Sequence, residues 1–322
     1  MLFRLCASFA AAAMLASTSV GLNAQAVVQA TVPLMVEGNR PFVQVSFHKS
    51  DGSVRTARFL LDTGGGGFLM AEPLARDLGL QWGQTVHEEG AEFGVITGPV
   101  AAYLGDFRLD LNPQRTLVVV GQDNILPPAA PGRAEGMIPG HVLSQYDVVF
   151  DYPKGSFTIA RPDVLTHLGV VMSMPVGTRS GFPRTEIAVD GTVYGLLLDT
   201  GASYTMVSEV VLKALGQRHP DWPRHTGAFG DAATLGGQAM ETLLLPGAQW
   251  GSEHLSGFGV VSQREGTFER WMSGMMASPI VGSLAGNVLK SFRVELDYAH
   301  ERLYLSGVAM GSGPAPPSSG ER

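Results

Sequence analysis

The chain is short of cysteine, of charge and of long apolar runs, and each shortage excludes something. One of its 322 residues is a cysteine, Cys6, near the start. The remainder therefore has no disulfide framework and no cysteine ligands for zinc or an iron–sulfur cluster. Stability has to come from apolar burial, and a chain of this length can build two cores. Charged residues make up 16% and the net charge is −7. No basic run or basic–aromatic stretch supplies the footprint of a nucleic-acid binder. Past the first residues, no apolar stretch reaches the ~20 residues needed to span a bilayer. The chain also has no H-E-x-x-H, no G-x-S-x-G, no phosphate loop and no G-x-G-x-x-G, and its eight histidines are scattered. No metal and no organic cofactor is expected.

Residues 1–26 read as a signal peptide. Arg4 supplies the positive start, Leu5 to Ala16 is almost wholly apolar, and Ala24-Gln25-Ala26 is a small-x-small cleavage site. The apolar part is too short for a membrane span. Export to the periplasm or the medium is expected, without stable membrane insertion after cleavage. Residues 307–322, with Gly-Pro-Ala-Pro-Pro-Ser-Ser-Gly among them, are expected to be a disordered tail.

What the chain does contain is one triplet twice. Phe59-Leu60-Leu61 runs into Asp62-Thr63-Gly64, and Leu196-Leu197-Leu198 runs into Asp199-Thr200-Gly201, 137 residues later. A carboxylate at the end of an apolar run is costly unless something uses it. The flanks repeat as well. Gly136-Met-Ile-Pro-Gly140-His-Val-Leu143 matches Gly282-Ser-Leu-Ala-Gly286-Asn-Val-Leu289, offset by 146, and Asp151-Tyr152 matches Asp297-Tyr298 at the same offset. Phe93-Gly94 and Phe229-Gly230 fall at comparable distances after the two aspartates. Four landmarks in one order, twice, indicate an internal duplication with a domain-sized period.

The secondary-structure signals are mostly short alternating strands, punctuated by 41 glycines and 20 prolines. Each triplet ends a hairpin. Pro41–Phe47 returns as Val54–Leu61, and Thr185–Val189 returns through Asp190-Gly191 as Val193–Leu198. Each triplet is followed by a short helix, Ala71–Leu78 before Gly79 and Val207–Leu215 before Gly216, with glycine as the expected C-cap. The fold class expected is mostly β: two homologous β-barrel lobes, a few short helices and a cleft between. The expected divisions are an N-terminal lobe over 27–161, a linker over 162–180 and a C-terminal lobe over 181–306.

On these residues the chain resembles the bilobal aspartic peptidases of the pepsin/retropepsin superfamily, over about residues 40–306. The resemblance implies an aspartic-type endopeptidase in which Asp62 and Asp199 share one proton and activate a water, with no cofactor. It implies that Thr63 and Thr200 lock the two loops together and that Gly64, Gly201 and Ala202 support them. It makes Phe93, Gly94, Phe229 and Gly230 candidates for flaps over the substrate. The substrate implied is an extended peptide or protein, and a monomer is expected. One departure stands out. Pepsins commonly carry Ser or Thr directly after the triplet, where this chain has Gly65 and Ala202. Without those hydroxyls the dyad should titrate higher and the activity optimum should be mildly acidic to near neutral. The same departure keeps an alternative open: a non-catalytic peptide-binding protein on the same scaffold. The apolar stretch Phe268–Met276 reads as a loop packed on the second lobe, with a substrate pocket or docking site as the other reading.

Overall fold

Alternating strands assemble into three principal sheets in a computed structural model that describes residues 27–88, 91–121, 128–129, 132–227 and 240–307. The expected signal peptide lies outside these residues, as does the expected tail from 308 onward. In the first lobe the strand order is Trp82–Glu88, Ala91–Ile96, Thr116–Val120, Phe68–Ala71, Gly136–Pro139, Val54–Asp62, Arg40–His48, Ala102–Leu104, Phe107–Arg108. In the second it is Arg224–Gly227, Met240–Trp250, Glu253–Gln263, Thr205–Ser208, Gly282–Ala285, Thr192–Asp199, Arg184–Val189. The seven strands of the second order match the first seven of the first, which adds Ala102–Leu104 and Phe107–Arg108 at its end, and each has parallel pairs at the same two places. An Ala188–Gln249 pairing brings the second sheet round on itself. The protein is mostly β, with two such lobes and a cleft between them.

The period-2 pattern of the triplet strands decides which way the acids point. Ala57, Phe59 and Leu61 enter the main core beside Phe47, Phe68 and Ile138. Leu60 lies on the opposite face, in a separate apolar layer with Phe42, Leu69, Val119 and Ala134. Asp62 continues the register of Leu60. The second lobe repeats this. Leu196 and Leu198 are in the core, while Leu197 joins a layer with Met206, Val261 and Phe268, and Asp199 follows it. Burying each Leu or Phe is worth roughly 1.5–3 kcal/mol, so a one-residue slip that turned the acids inward would also expose these side chains.

A six-stranded antiparallel sheet joins the halves, in the order Gln29–Pro33, Ser156–Ala160, Asp147–Asp151, Phe292–Asp297, Arg302–Gly307, Val170–Ser173. Its central pair sets Val149 opposite Glu295. These two are equivalent in the duplication, so a pseudo-two-fold axis passes between them. The stretch expected to be plain linker contributes the outer strand Val170–Ser173.

Two sequence expectations change. The second helix runs Glu209–Arg218, capped by Ser208, and continues through Gly216. A side chain at Gly216 would overlap the Arg224 guanidinium, which donates to the Gly216 carbonyl, so this glycine serves close approach and not capping. The first helix, Glu72–Asp77, does end before Gly79 at φ +68°. The long hairpin Met240–Trp250/Glu253–Gln263 is mostly hidden in the sequence because Pro246-Gly247 reads as a break. In the fold the ladder simply steps over Pro246. The Phe268–Met276 stretch packs on the second lobe, with Phe268 buried against the Leu197 layer and Trp271 exposed. Among the described residues no helix is long and apolar enough to cross a membrane.

Candidate active site

Asp62 and Asp199 sit at matching strand ends. Each strand is paired in parallel with its lobe's glycine segment, Asp62 opposite Pro139 and Asp199 opposite Ala285. The loops that follow meet across the pseudo-two-fold axis. Thr63 Oγ1 donates to the Leu198 carbonyl at 2.5 Å and accepts from the Thr200 N–H at 3.0 Å. Thr200 Oγ1 donates to the Leu61 carbonyl at 2.7 Å and accepts from the Thr63 N–H at 3.1 Å. Both threonines are fully buried. Four reciprocal bonds satisfy two donors and two carbonyls that would otherwise be orphaned between the lobes.

This interlock brings each acid against the opposite triplet. A methyl group at Gly201 would overlap the Asp62 carboxyl, and one at Gly64 would come within 3.2 Å of the Asp199 carboxyl. Gly201 is therefore required for the approach of Asp62, and Gly64 leaves close but tighter-than-usual room for Asp199. The N–H of Gly64 donates to Asp62 Oδ1 at 2.9 Å. The N–H groups of Gly201 and Ala202 donate to Asp199 Oδ1 at 3.0 and 3.1 Å. Main-chain donors thus do part of the work that a Ser or Thr hydroxyl would do.

Both carboxyls are held well above the ordinary carboxylate range. For Asp62 the first cause is burial and the second is the charge of Asp199; the Gly64 and Gly65 amides and Arg40 oppose the rise. For Asp199 the cause is burial, opposed by the Ala202 and Gly201 amides and by Arg40. A pair in this state holds one proton between its members over a range of pH. Such a pair offers one carboxylate that can accept a proton and one acid that can donate it.

Arg40 was not singled out in the sequence. It is a first-lobe residue, 5% exposed, and its Nε donates to Ser203 Oγ of the second loop at 2.8 Å. The adjoining Asn39, at φ +65°, donates to the Ser203 carbonyl at 3.1 Å. Nothing in Asn39-Arg40 announces this, because the contacts span more than 160 positions. Met137 was also unremarked. A Cβ placed on Gly65 would lie 2.8 Å from Met137 Cε and 3.0 Å from Asp62 Oδ2. The position after the first triplet is glycine where a methionine methyl fills the space a larger residue would occupy. Tyr152 and Tyr298, equivalent in the duplication, are buried with hydroxyls that have no partner among the described residues.

The flap candidates are placed less fully. Phe93 lies inside the strand Ala91–Ile96, opposite Val86 on one side and Val119 on the other, and packs against the Phe42–Leu60 layer. Gly94 is where the Trp82 ring crosses the strand, and a side chain there would overlap it. Phe229 and Gly230 lie outside the described residues.

No protein-family model matches this chain, and no curated protein matches it. Among solved structures, the aspartic proteinase from Irpex lacteus is similar over 87% of this chain and 98% of its own, at 15% sequence identity and a TM-score of 0.49. At that distance the likeness transfers no residue's role.

Proposed function

We propose that this chain is an exported aspartic-type endopeptidase. The observation that carries the reading is the pair of carboxyls at equivalent strand ends, pressed against each other's triplet glycines and sharing a raised affinity for protons. The ionised member takes a proton from a water held between them as the water oxygen bonds to the scissile carbonyl carbon, and the protonated member gives its proton to the carbonyl oxygen. The member now holding the water's proton passes it to the leaving nitrogen, the C–N bond breaks, and a hydroxyl of the intermediate returns its proton to the other carboxylate, which restores the singly protonated pair. No metal or organic group is needed for these steps. An extended peptide would lie between the lobes and be held by strand-like backbone hydrogen bonds, with apolar side chains in pockets.

The alternative, a non-catalytic peptide binder, draws on one observation: the Met137 methyl stands beside Gly65 where a hydroxyl donor to Asp62 would be. The two readings separate in one experiment. Wild-type protein should cleave an unfolded protein substrate and Asp62→Asn should not. Absence of cleavage by wild type across pH 3–8, with peptide binding retained, would favour the binder.

A further inference from the structure

The central sheet carries an ion pair on one side of its axis and two opposed carboxylates on the other. Asp151–Arg293 and Asp147–Asp297 occupy equivalent ladder positions on either side of the pseudo-two-fold axis. The first pair is an ion pair, with Arg293 Nη1 donating to Asp151 Oδ2 at 3.0 Å. In the second, Asp147 stands at the place equivalent to the arginine, so two carboxylates face each other. They are 1% and 4% exposed. Like charges opposed in a sheet are destabilising, and burial makes an uncompensated charge costlier. Glu295, also buried, adds a third carboxylate. Its partner Arg293, at 2.8 Å, is already shared with Asp151.

His167 borders the gap. Its ring stacks on Tyr304 at 4.5 Å between centroids, and Nδ1 is 3.0 Å from Glu295 Oε2. These contacts set Nε2 at 3.9 Å from Asp147 Oδ2 and 3.8 Å from Asp297 Oδ2. Both separations are longer than an N–H···O bond. Asp147 Oδ1 is buried with no hydrogen-bond partner among the described residues. One ligand atom from each of Asp147, His167 and Asp297 lies within 4.8 Å of the others. Ligands around a tetrahedral ion with bonds of ~2.0–2.2 Å lie roughly 3.3–3.6 Å apart; the two imidazole–carboxylate separations, 3.9 and 3.8 Å, are within about half an ångström of that range, and the two carboxylates lie within 4.8 Å of each other. The surroundings match what metal-binding groups require. Nδ1 of the imidazole faces a carboxylate, Asp297 is held by His300 Nδ1 at 2.9 Å, and Asp147 accepts from the Asp163 N–H at 3.2 Å.

We propose that Asp147, His167 and Asp297 form a structural site for one divalent transition-metal cation of the Zn²⁺ class. One imidazole and two carboxylates suit such an ion better than Ca²⁺ or Mg²⁺, which take six or more oxygens. The ion would tie the segment around His167 to the central strands of both halves, and so help hold the geometry on which Asp62 and Asp199 depend. Scattered histidines gave no hint of this in the sequence, because residues 147, 167 and 297 meet only after folding.

The test uses the full chain stripped with EDTA, titrated with ZnCl₂ by calorimetry and followed by thermal unfolding at pH 7.5, with CaCl₂ and MgCl₂ in parallel. One equivalent of Zn²⁺ should bind and raise the unfolding midpoint. Affinity should fall at least tenfold in Asp147→Asn and in His167→Gln. Asp147→Asn also removes the opposed charge, so it should fold without metal. The double variant Asp62→Asn/Asp199→Asn should bind Zn²⁺ like wild type. The proposal is overturned by any of four results: no saturable Zn²⁺ binding, unchanged binding in Asp147→Asn and His167→Gln, binding lost only when the dyad is removed, or Ca²⁺ or Mg²⁺ binding as tightly as Zn²⁺.

Discussion

After the first aspartate the chain reads Thr63-Gly64-Gly65-Gly66-Gly67, and after the second Thr200-Gly201-Ala202-Ser203-Tyr204. The lobes are copies in strand order, yet the loops are held differently. The second loop is tied by side chains. Arg40 reaches Ser203 Oγ, Asn39 reaches the Ser203 carbonyl, and Asn287 accepts from both the N–H and the hydroxyl of Thr205. Both loops share a backbone tie, from the Gly140 N–H to the Gly65 carbonyl and from the Gly286 N–H to the Ala202 carbonyl, each at 3.1 Å; the first loop has in addition a methionine methyl packed on it. His141, which matches Asn287 in the duplication, lies beside the Gly66 main chain with its ring nitrogens buried. Phe182, which matches Arg40 by strand register, is apolar and buried. Duplication preserved the interlock that both lobes must build together. It let the outer support diverge, because each acid needs its pKa set and the two need not be set by the same means.

The largest effect tests whether the acids are equivalent despite this difference. Asp62→Asn and Asp199→Asn should each lower turnover on an unfolded protein substrate by about 10³-fold or more. Near-wild-type rates in either variant would end the dyad reading. The sign of the stability change is also determined. Burial raises the carboxyls, so the native state binds more protons than the unfolded state above the ordinary Asp pKa, and stability falls as pH rises through the raised values. Removing one acid should therefore raise the melting temperature at pH 7–8 and change it little at pH 4. A melt that drops equally at both pH values would contradict the cause assigned to the shift.

Symmetry at the interlock predicts matched losses. Thr63→Val and Thr200→Val each strand a buried N–H and a buried carbonyl, at about 1–3 kcal/mol per group. Urea unfolding should show similar destabilisation for both, and the double variant should lose less than the sum. A much larger loss at one threonine would show that the loops are not equally shared.

Arg40 sharpens the asymmetry. Its charge lowers both carboxyls, so Arg40→Met should move the whole pH–rate profile upward, by about one unit. A purely structural role would lower the amplitude without moving the profile. Wild type is expected to work best in mildly acidic to near-neutral solution, and an optimum below about pH 4, near the unperturbed Asp value, would remove the basis for this expectation.

The smallest effect concerns Gly65. Serine there meets Met137 Cε and Asp62 Oδ2, so Gly65→Ser alone should impair activity severalfold. Combined with Met137→Ala it should recover activity and move the acidic limb downward, since a new hydroxyl can stabilise the Asp62 anion. An upward shift in the double variant would show that backbone amides already saturate that carboxylate.

Much of this protein is legible in the residues alone, and for a local reason. The duplicated triplets, the period-2 strands before them and the Asp-Gly turn at 190–191, with φ of 50° and 72°, are short-range signals, and each dictates backbone conformation within a few positions. Together they imply two mostly-β lobes and nominate Asp62, Thr63, Asp199 and Thr200. The ladder over Pro246, the continuation of the second helix through Gly216 and the strand at Val170–Ser173 were decided by packing partners far along the chain, which outweigh local propensity. The same holds for the electrostatics. Arg40 beside both acids, Met137 over Gly65 and the opposed carboxylates at Asp147 and Asp297 exist only because the fold brings distant residues within a few ångströms, where burial and charge act at full strength. Sequence alone determined which groups could do the chemistry, and only the tertiary structure decided what each of them feels.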